Sequence, residues 1–560
     1  MGQGVAGELL LPIVKKGSEY LANTDKGHTH FGQHLDWHWL SIALVVLGAA
    51  YLRWHLLDVP LERDEGEYAY GGQLLLQGVP PYQLLYNMKL PGIYAAYAAV
   101  LAIFGQSQTG VHLGLLAVNA ASIVLIFLIG RRVSSPLTGL CAGAMFAVLS
   151  VGQSVQGIFA NAEHFVLLPA LAGLLFLLIG LESKRPFFIF LSGIMLGLGI
   201  LVKQHGALFA VWGVLYLVFV GWRSRLRFLD IARQAQLLVG GAALPYLITC
   251  LLLVKAGVFQ EFWFWTIDYA RAYTGQVSWN DAWLNLSDRV MTIVAASPLI
   301  WVAAALGVVA CFARQRDLKR NFFLLGFALF SFLSLCPGLF FRPHYFILLL
   351  PGAALLAGIA IETAVTAVFG NHRQLQPFGL ALALLGLCLG GTLYQQRQFL
   401  FLSSPAQASH DTYWPNPFNE SLEIARFIRL NSKPSDTIAI MGSEPQIFFY
   451  AGRRSATGYI YMYPLMEGHD FALEMQRRLI AEIEQAAPEY LLFVRIPTSW
   501  LQTPHSKTLI YDWFTGYKEK YQQVGMVEIF EKSSNVSWLP DVHWPPATPY
   551  WIEVLRKKHT

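Results

Sequence analysis

The stretch on which the reading of this chain turns is Arg63-Asp64-Glu65-Gly66-Glu67-Tyr68-Ala69-Tyr70. Three carboxylates fall within four positions, in a 560-residue chain that spends only 13% of its residues on charge. Soluble domains use about a quarter. With 55% hydrophobic residues and a mean hydropathy of +0.45, the chain falls in the polytopic membrane class. The acidic cluster directly follows the first long apolar run, near 38–57. It therefore stands where the chain leaves the membrane. An aromatic content of 14% suits belts at the membrane interfaces.

Apolar runs continue near 109–130, 137–157, 164–181, 187–202, 206–222, 236–256, 291–312, 321–338, 344–367 and 377–395. About eleven transmembrane helices are expected, making residues 38–400 a polytopic α-helical membrane domain. Residues 93–104 are apolar but short of the about 20 needed to cross a bilayer, and are read as an interfacial helix inside a catalytic outer loop, 58–108. Residues 1–37 form a cytoplasmic N-terminal segment with a short surface helix expected over 9–20. No secretory signal is read there, since the first long apolar run starts near Leu40.

Basic residues orient the spans. Arg131, Arg132, Lys184, Arg185, Arg223, Arg225, Arg227, Arg314, Arg316, Lys319, Arg320 and Arg373 all fall on one face, which the positive-inside rule makes cytoplasmic. The first 400 residues hold 25 Lys+Arg against 18 Asp+Glu, a surplus better explained by such loops than by nucleic acid. Eleven spans then leave residues 401–560 outside, as an extracytoplasmic soluble domain. There, β-rich runs at 437–441, 490–495 and 527–530 alternate with helical patterns at 421–430 and 471–485. An α/β unit with a small parallel sheet is expected. The five cysteines lie in or beside apolar spans with no metal-like spacing, and read as inert buried thiols.

On the outer face the topology gathers Asp64, Glu65, Lys89, Glu163, His164, Lys203, Arg271, Arg342, His344 and Tyr345. Ionisable residues at membrane depth are costly and are functional candidates by default. Plainer readings stand beside each: a wet loop for Asp64 and Glu65, snorkelling for Lys89 and Arg271, a solvated turn for Glu163 and His164. Lys203 is harder to dismiss, because nothing in its tight hairpin asks for charge. Carboxylates and cations converging at one interface suit an acceptor hydroxyl activated by a general base, and a lipid-borne phosphate held by Lys and Arg. Glu67 reads as a solvated neighbour. Tyr459, Tyr461 and Tyr463 read equally as a sugar-stacking set or a strand face.

Taken together, these residues resemble the GT-C superfamily of membrane glycosyltransferases, in its dolichyl-phosphate-mannose protein mannosyltransferase-like and aminoarabinose transferase-like branch. Asp64-Glu65-Gly66-Glu67-Tyr68-Ala69 matches its Asp-Glu-x-x-Tyr-Ala pattern. Lys89-Leu90-Pro91 resembles its Lys-Pro-Pro motif, with Leu90 a departure, and Glu163 stands where an acid, often Asp, is expected. Arg271 follows an aromatic run, and Arg342-Pro343-His344-Tyr345 opens a span as in the family. The resemblance implies inverting transfer of a sugar from a polyprenyl-phosphate donor to a hydroxyl acceptor (lipid, glycan or protein) at the outer face of a bacterial inner or plasma membrane. Asp64 would be the base, with Glu65 and Glu163 orienting the acceptor. Lys89, Arg271, Tyr345 and Lys203 would hold the donor phosphate. His164, Arg342 and His344 would serve the acceptor or the scaffold. The sequence requires no cofactor; a divalent metal is possible but not predicted, and no nucleic-acid partner is expected. The rival reading is a polytopic transporter or lipid flippase, which would place charges mid-membrane in broken helices of two related halves.

Overall fold

The computed structural model describes residues 37–275, 277–313, 317–370 and 376–559. The helix expected at 9–20 and the basic residues Arg314, Arg316 and Arg373 lie outside them. Each expected span finds a helix: Trp37–Trp54, Gln108–Val133, Pro136–Leu149, Ala162–Ser183, Pro186–Val202, Ala207–Arg223, Phe228–Lys255, Pro298–Ala313, Leu318–Leu333, Leu350–Phe369 and Gln376–Gln395. Among the described residues, six helices are long and apolar enough on their own to cross a membrane.

One span departs from expectation. The run at 291–312 is not a single rod: Trp279–Ala296 and Pro298–Ala313 meet at a 106° bend. Proline lacks the N–H that a continuing helix needs and biases the preceding residue away from helical backbone, so the first helix stops at Ala296. The helices pack closely through small residues. A Cβ on Gly193 would lie 2.1 Å from the Leu238 carbonyl oxygen, and one on Gly307 would lie 1.9 Å from that of Leu356. Small-residue contact of this kind is how helices gain dispersion energy in lipid, where no hydrophobic drive separates protein from solvent.

The basic loops do gather at one end. Arg132, Lys184, Lys319 and Arg320 line a common cleft with Glu182 and Asp317. Arg132 pairs with Glu182 at 3.0 Å. The 22-residue helix Ala162–Ser183 carries Glu163 at its start and reaches this cleft at its end, a separation of about 33 Å at 1.5 Å per residue.

The region expected as an outer loop contains two helices, Arg63–Leu76 and Pro91–Phe104. The second matches the short apolar element. The first forms because Glu62 caps it: the Glu62 carboxylate accepts from the backbone of Asp64 and Glu65, while Glu65 reaches back to the Glu62 N–H, a reciprocal capping box. Acidic residues in its first turn also suit the positive end of the helix dipole.

Residues 401–560 fold around a six-stranded sheet: β1 Thr437–Met441, β2 Arg454–Ser455, β3 Tyr490–Arg495, β4 Tyr521–Ile529, β5 Ser534–Trp538 and β6 Trp551–Lys557, in the order β2-β1-β3-β6-β4-β5. β2, β1 and β3 are parallel as expected; β6, β4 and β5 add antiparallel strands, so the sheet is mixed. β5 escapes sequence reading because it is short, polar and partly exposed, and β6 because Glu553, Arg556 and Lys557 interrupt its apolar pattern.

This domain is joined tightly to the acidic helix. The Arg63 guanidinium donates to Glu444 at 2.6 Å, to Asn416 at 2.9 Å and to the Ser443 carbonyl. The Leu61 N–H donates to Tyr450 and the Ser455 N–H to Tyr70, each at 2.8 Å. Gly66 permits the approach: a Cβ there would lie 2.6 Å from the Gln446 backbone nitrogen.

Candidate active site

Between the two parts lies a cavity of about 220 Å³, lined by Asp64, Tyr68, Lys89, Lys203, Arg342, His344 and Tyr345 from the membrane part and by Tyr461, Tyr463 and Glu467 from the soluble domain. These ten groups come from five separate segments of the chain. The helix Arg63–Leu76 brings Asp64, Glu67 and Tyr68 to one face, since positions three and four apart are neighbours on a helix.

Asp64 is the carboxylate of the acidic helix that reaches the cavity. Its Oδ1 accepts from Lys89 Nζ at 3.3 Å and from the Tyr461 hydroxyl at 3.0 Å. Burial alone would push its carboxyl up; Lys89, with His344, Arg342 and Lys203 behind it, outweighs burial and holds it well below the usual carboxylate range. Asp64 is thus ionised at any physiological pH. Lys89 Nζ also donates to Tyr68 at 3.0 Å, and its backbone carbonyl accepts from Tyr82 at 2.6 Å. Burial pulls the Lys89 ammonium down, but Asp64 and Glu67 raise it further than burial lowers it, so it stays charged.

The remaining candidates divide. Lys203 Nζ pairs with Glu163 Oε1 at 2.5 Å and stands 4.1 Å from the centre of the Tyr345 ring. Glu163 is fully buried, and its Oε2 has no hydrogen-bond partner among the described residues. Arg342 lines the cavity with no carboxylate within ion-pair distance among the described residues, its guanidinium near the Phe340 ring. His344 lines the cavity and shares a 3.0 Å hydrogen bond between its Nδ1 and Gln156. His164 is buried beside Asn119, at 3.4 Å, and does not reach the cavity lining.

Two expectations are corrected. Glu65 turns away from the cavity. One of its oxygens accepts from the Ala160 N–H at 2.5 Å and meets His112 at 3.0 Å; the other caps Glu62. With both oxygens engaged and the residue fully buried, it shapes the helix start and cannot orient an acceptor. Glu67 is not solvated: it is fully buried, with the Tyr94 hydroxyl donating to it at 2.6 Å. Burial, chiefly, pushes its carboxyl up to about 7, with Asp64 adding to the effect and Lys89, Tyr94 and Tyr461 opposing it. Its place three residues after Asp64 would have revealed it had the stretch been read as helix. Arg271 sits on the exposed side of the helix Ala270–Thr274, while Ala270 and Tyr273 of the same helix line the cavity.

Tyr461, read from the sequence as a sugar-stacking or strand-face residue, was not foreseen as a partner of Asp64, because nothing local ties the two together. It lies in irregular backbone before the helix Tyr463–Met466, so the tyrosine series is not a strand face. Among the described residues no three His, Cys, Asp or Glu side chains group as for a metal ion.

A second, apolar groove of about 1200 Å³ adjoins the cavity and shares Val202 with it. Pro80, Pro91, Gly92, Leu198, Leu201 and Leu252 are among its walls. Pro91 in its wall lies two residues after Lys89, which lines the cavity.

Comparison with known proteins bears on this arrangement. The family described as dolichyl-phosphate-mannose-protein mannosyltransferase matches residues 89–255. The chain is 26% identical over 390 residues to an undecaprenyl phosphate-alpha-4-amino-4-deoxy-L-arabinose arabinosyl transferase of Pseudomonas fluorescens, a match covering 66% of this chain and 63% of that protein's length. In fold it is similar to ArnT from Cupriavidus metallidurans bound to undecaprenyl phosphate, with a TM-score of 0.57 and 15% identity over 93% of this chain and 98% of the other. It is also similar to the archaeal oligosaccharyltransferase AglB from Archaeoglobus fulgidus in complex with an inhibitory peptide and a dolichol-phosphate, with a TM-score of 0.52 and 13% identity over 91% and 75% of the two chains. The chain thus shares the fold of these membrane glycosyltransferases, and over part of its length it is similar in sequence to the arabinosyl and mannosyl transferases among them.

Proposed function

We propose that this protein transfers a sugar from a polyprenyl-phosphate donor to a hydroxyl acceptor on a lipid, glycan or protein, at the extracytoplasmic face of the membrane. The observation that carries the reading is one cavity holding an ionised, partly accessible Asp64 against cations, with an apolar groove opening alongside. The donor's tail would lie in the groove and its phosphate at the cavity mouth. Arabinosyl transferase relatives named for an undecaprenyl-phosphate sugar support this donor class. The rival transporter reading draws no support from charges collected at one end of the bundle.

In the reaction, Asp64 accepts the acceptor's proton as its oxygen bonds to the anomeric carbon. The bond from that carbon to the phosphate breaks on the opposite side, which inverts the centre and releases polyprenyl phosphate. The leaving phosphate gains negative charge and needs fixed cations more than it needs a proton. We assign that task to Lys89, Arg342 and Lys203, with Tyr345 beside them. Arg342 takes the place first given to Arg271, since it lines the cavity and makes no ion pair within contact distance among the described residues. Glu163, paired with Lys203, borders the acceptor side.

The test is Asp64→Asn in protein reconstituted with an undecaprenyl-phosphate-linked 4-amino-4-deoxy-L-arabinose donor and an envelope extract. Release of undecaprenyl phosphate should fall by at least about 10²-fold, the usual worth of a general base. Retention of more than a tenth of wild-type turnover would remove Asp64 from the role.

A further inference from the structure

A carboxylate that serves as a base has to present one oxygen to the acceptor and hold it there. The last side-chain torsion of an aspartate is soft, so the carboxylate turns unless its partners fix it. Both hydrogen bonds to the Asp64 carboxylate among the described residues fall on Oδ1, from Lys89 Nζ at 3.3 Å and from the Tyr461 hydroxyl at 3.0 Å. Oδ2 is left to the cavity that Asp64 lines, and 21% of the side chain is exposed. The two donors differ in kind. Lys89 is a point charge on a flexible stem and also donates to the Tyr68 hydroxyl at 3.0 Å, so it supplies charge more than direction. Tyr461 is a buried, rigid ring that ends in a single hydroxyl.

We propose that Tyr461 is a positioning residue for the catalytic base: the soluble domain's hydroxyl fixes the rotation of the Asp64 carboxylate and keeps Oδ2 aimed at the acceptor. The inference rests on the glycosyl-transfer reading. The acceptor's proton goes to Oδ2, while Oδ1 stays bonded to Tyr461 and Lys89. The Tyr461 hydroxyl donates throughout and gives up no proton. A carboxylate free to swing would leave its lone pair off the line of the acceptor O–H, and misplacement by about 1 Å can cost about 10²-fold in rate.

The segment that carries Tyr461 is built to deliver it. Glu482, on the helix Ala472–Ala486, accepts from Thr457 Oγ1 at 2.6 Å, from the Gly458 N–H at 3.1 Å and from the Tyr86 hydroxyl at 3.0 Å. The Tyr86 N–H in turn donates to the Gly458 carbonyl at 2.8 Å. Tyr86 stands three residues before Lys89, and Gly458 three residues before Tyr461. The two segments that hold the donors to Oδ1 are therefore tied to each other. A Cβ on Gly458 would lie 2.4 Å from the Tyr86 ring, so the segment seats directly on the membrane part. Past Tyr461, the Met462 N–H donates to Ser443 Oγ and the Tyr463 hydroxyl to the Thr498 carbonyl, each at 2.8 Å. The tyrosine is thus held on both sides, and the soluble domain completes the catalytic centre rather than only covering it.

The experiment measures release of undecaprenyl phosphate by wild type, Tyr461→Phe and Tyr450→Phe, as full-length protein in nanodiscs, with the donor named above and serial dilutions of the envelope extract. Tyr450→Phe is the control, because its hydroxyl joins the soluble domain to the Leu61 N–H at 2.8 Å without touching Asp64. Tyr461→Phe should lower kcat at least about tenfold, with the donor and extract concentrations for half-maximal rate changed less than about twofold. Tyr450→Phe should keep kcat per folded protein within about twofold of wild type. Wild-type kcat in Tyr461→Phe, a rise in either half-saturating concentration with kcat unchanged, or an equal loss of kcat in Tyr450→Phe would each overturn the positioning role. The second of these would make Tyr461 a substrate contact, and the third would reduce it to a docking contact. Absence of any donor turnover in the wild type would instead overturn the transferase reading, and this role with it.

Discussion

Lys89 Nζ lies between two acceptors of the acidic helix, 3.3 Å from Asp64 Oδ1 and 3.0 Å from the Tyr68 hydroxyl. One cation thus holds the base ionised and faces the space where a phosphate would leave. In a cavity screened from water such a charge acts with little competition from solvent.

Removing that cation should damage two functions together. Lys89→Ala should lower turnover about 10²–10³-fold, as loss of a transition-state donor does. It should also move the acid limb of the pH profile upward, because Asp64 loses the strongest influence opposing its burial. Steady-state rates measured between pH 4 and 8, roughly the range around ordinary carboxylate and histidine titration, would check both effects. An unchanged acid limb would separate Lys89 from Asp64.

Arg342 and Arg271 can be told apart by product binding. Arg342 lines the cavity, whereas Arg271 lies on the exposed side of its helix. Arg342→Ala should weaken inhibition by undecaprenyl phosphate about tenfold or more, the worth of a charge-assisted contact of about 1.5–3 kcal/mol. Arg271→Ala should weaken it less. The reverse order would return the phosphate role to Arg271.

Gly66 sets how closely the soluble domain meets the acidic helix. A Cβ would lie 2.6 Å from the backbone nitrogen of Gln446, which cannot swing aside as a flexible side chain would. Gly66→Leu should destabilise the protein by about 1–3 kcal/mol or force the domain off its seat. Faster proteolysis of the domain junction, with reduced turnover, is the expected readout.

Glu67 should make stability depend on pH. Its carboxyl is raised from the ordinary 4.5 to about 7 in the fold. The folded state therefore binds a proton that the unfolded state has already released. That contribution is fully present below about pH 4.5 and is lost as pH rises through about 7. It amounts to about 3 kcal/mol, at 1.36 kcal/mol per pH unit. Glu67→Gln removes the dependence, so its apparent melting temperature relative to wild type should rise between pH 5 and pH 8.5 (roughly either side of that window). A constant difference would show that Glu67 does not titrate there.

Much of the arrangement was legible in the chain itself. Hydropathy is local, so the positions of the membrane helices and the short element at 91–104 could be read residue by residue. Asp64 and Lys89 lie 25 residues apart and belong to one excursion between apolar helices, which made their meeting a short-range inference. The break at Ser297-Pro298 was also visible, as a proline within an apolar run, but hydropathy alone passed over it.

Tertiary structure decided the rest. Glu65 and Glu67 look alike in sequence, yet one turns into a capping and backbone network and the other is buried beside Tyr94. Which of them faces Asp64 depends on the helix that only its cap and its partners define. Arg342 and Arg271 are equally basic, and only packing sends one of them to the cavity. Tyr461 stands 397 residues from Asp64, and no local pattern records that contact. It exists because the soluble domain docks through Arg63, Tyr70 and Gly66. Composition and periodicity determine what each segment can be. Burial, pairing and proton affinity are properties of surroundings that the chain acquires only on folding.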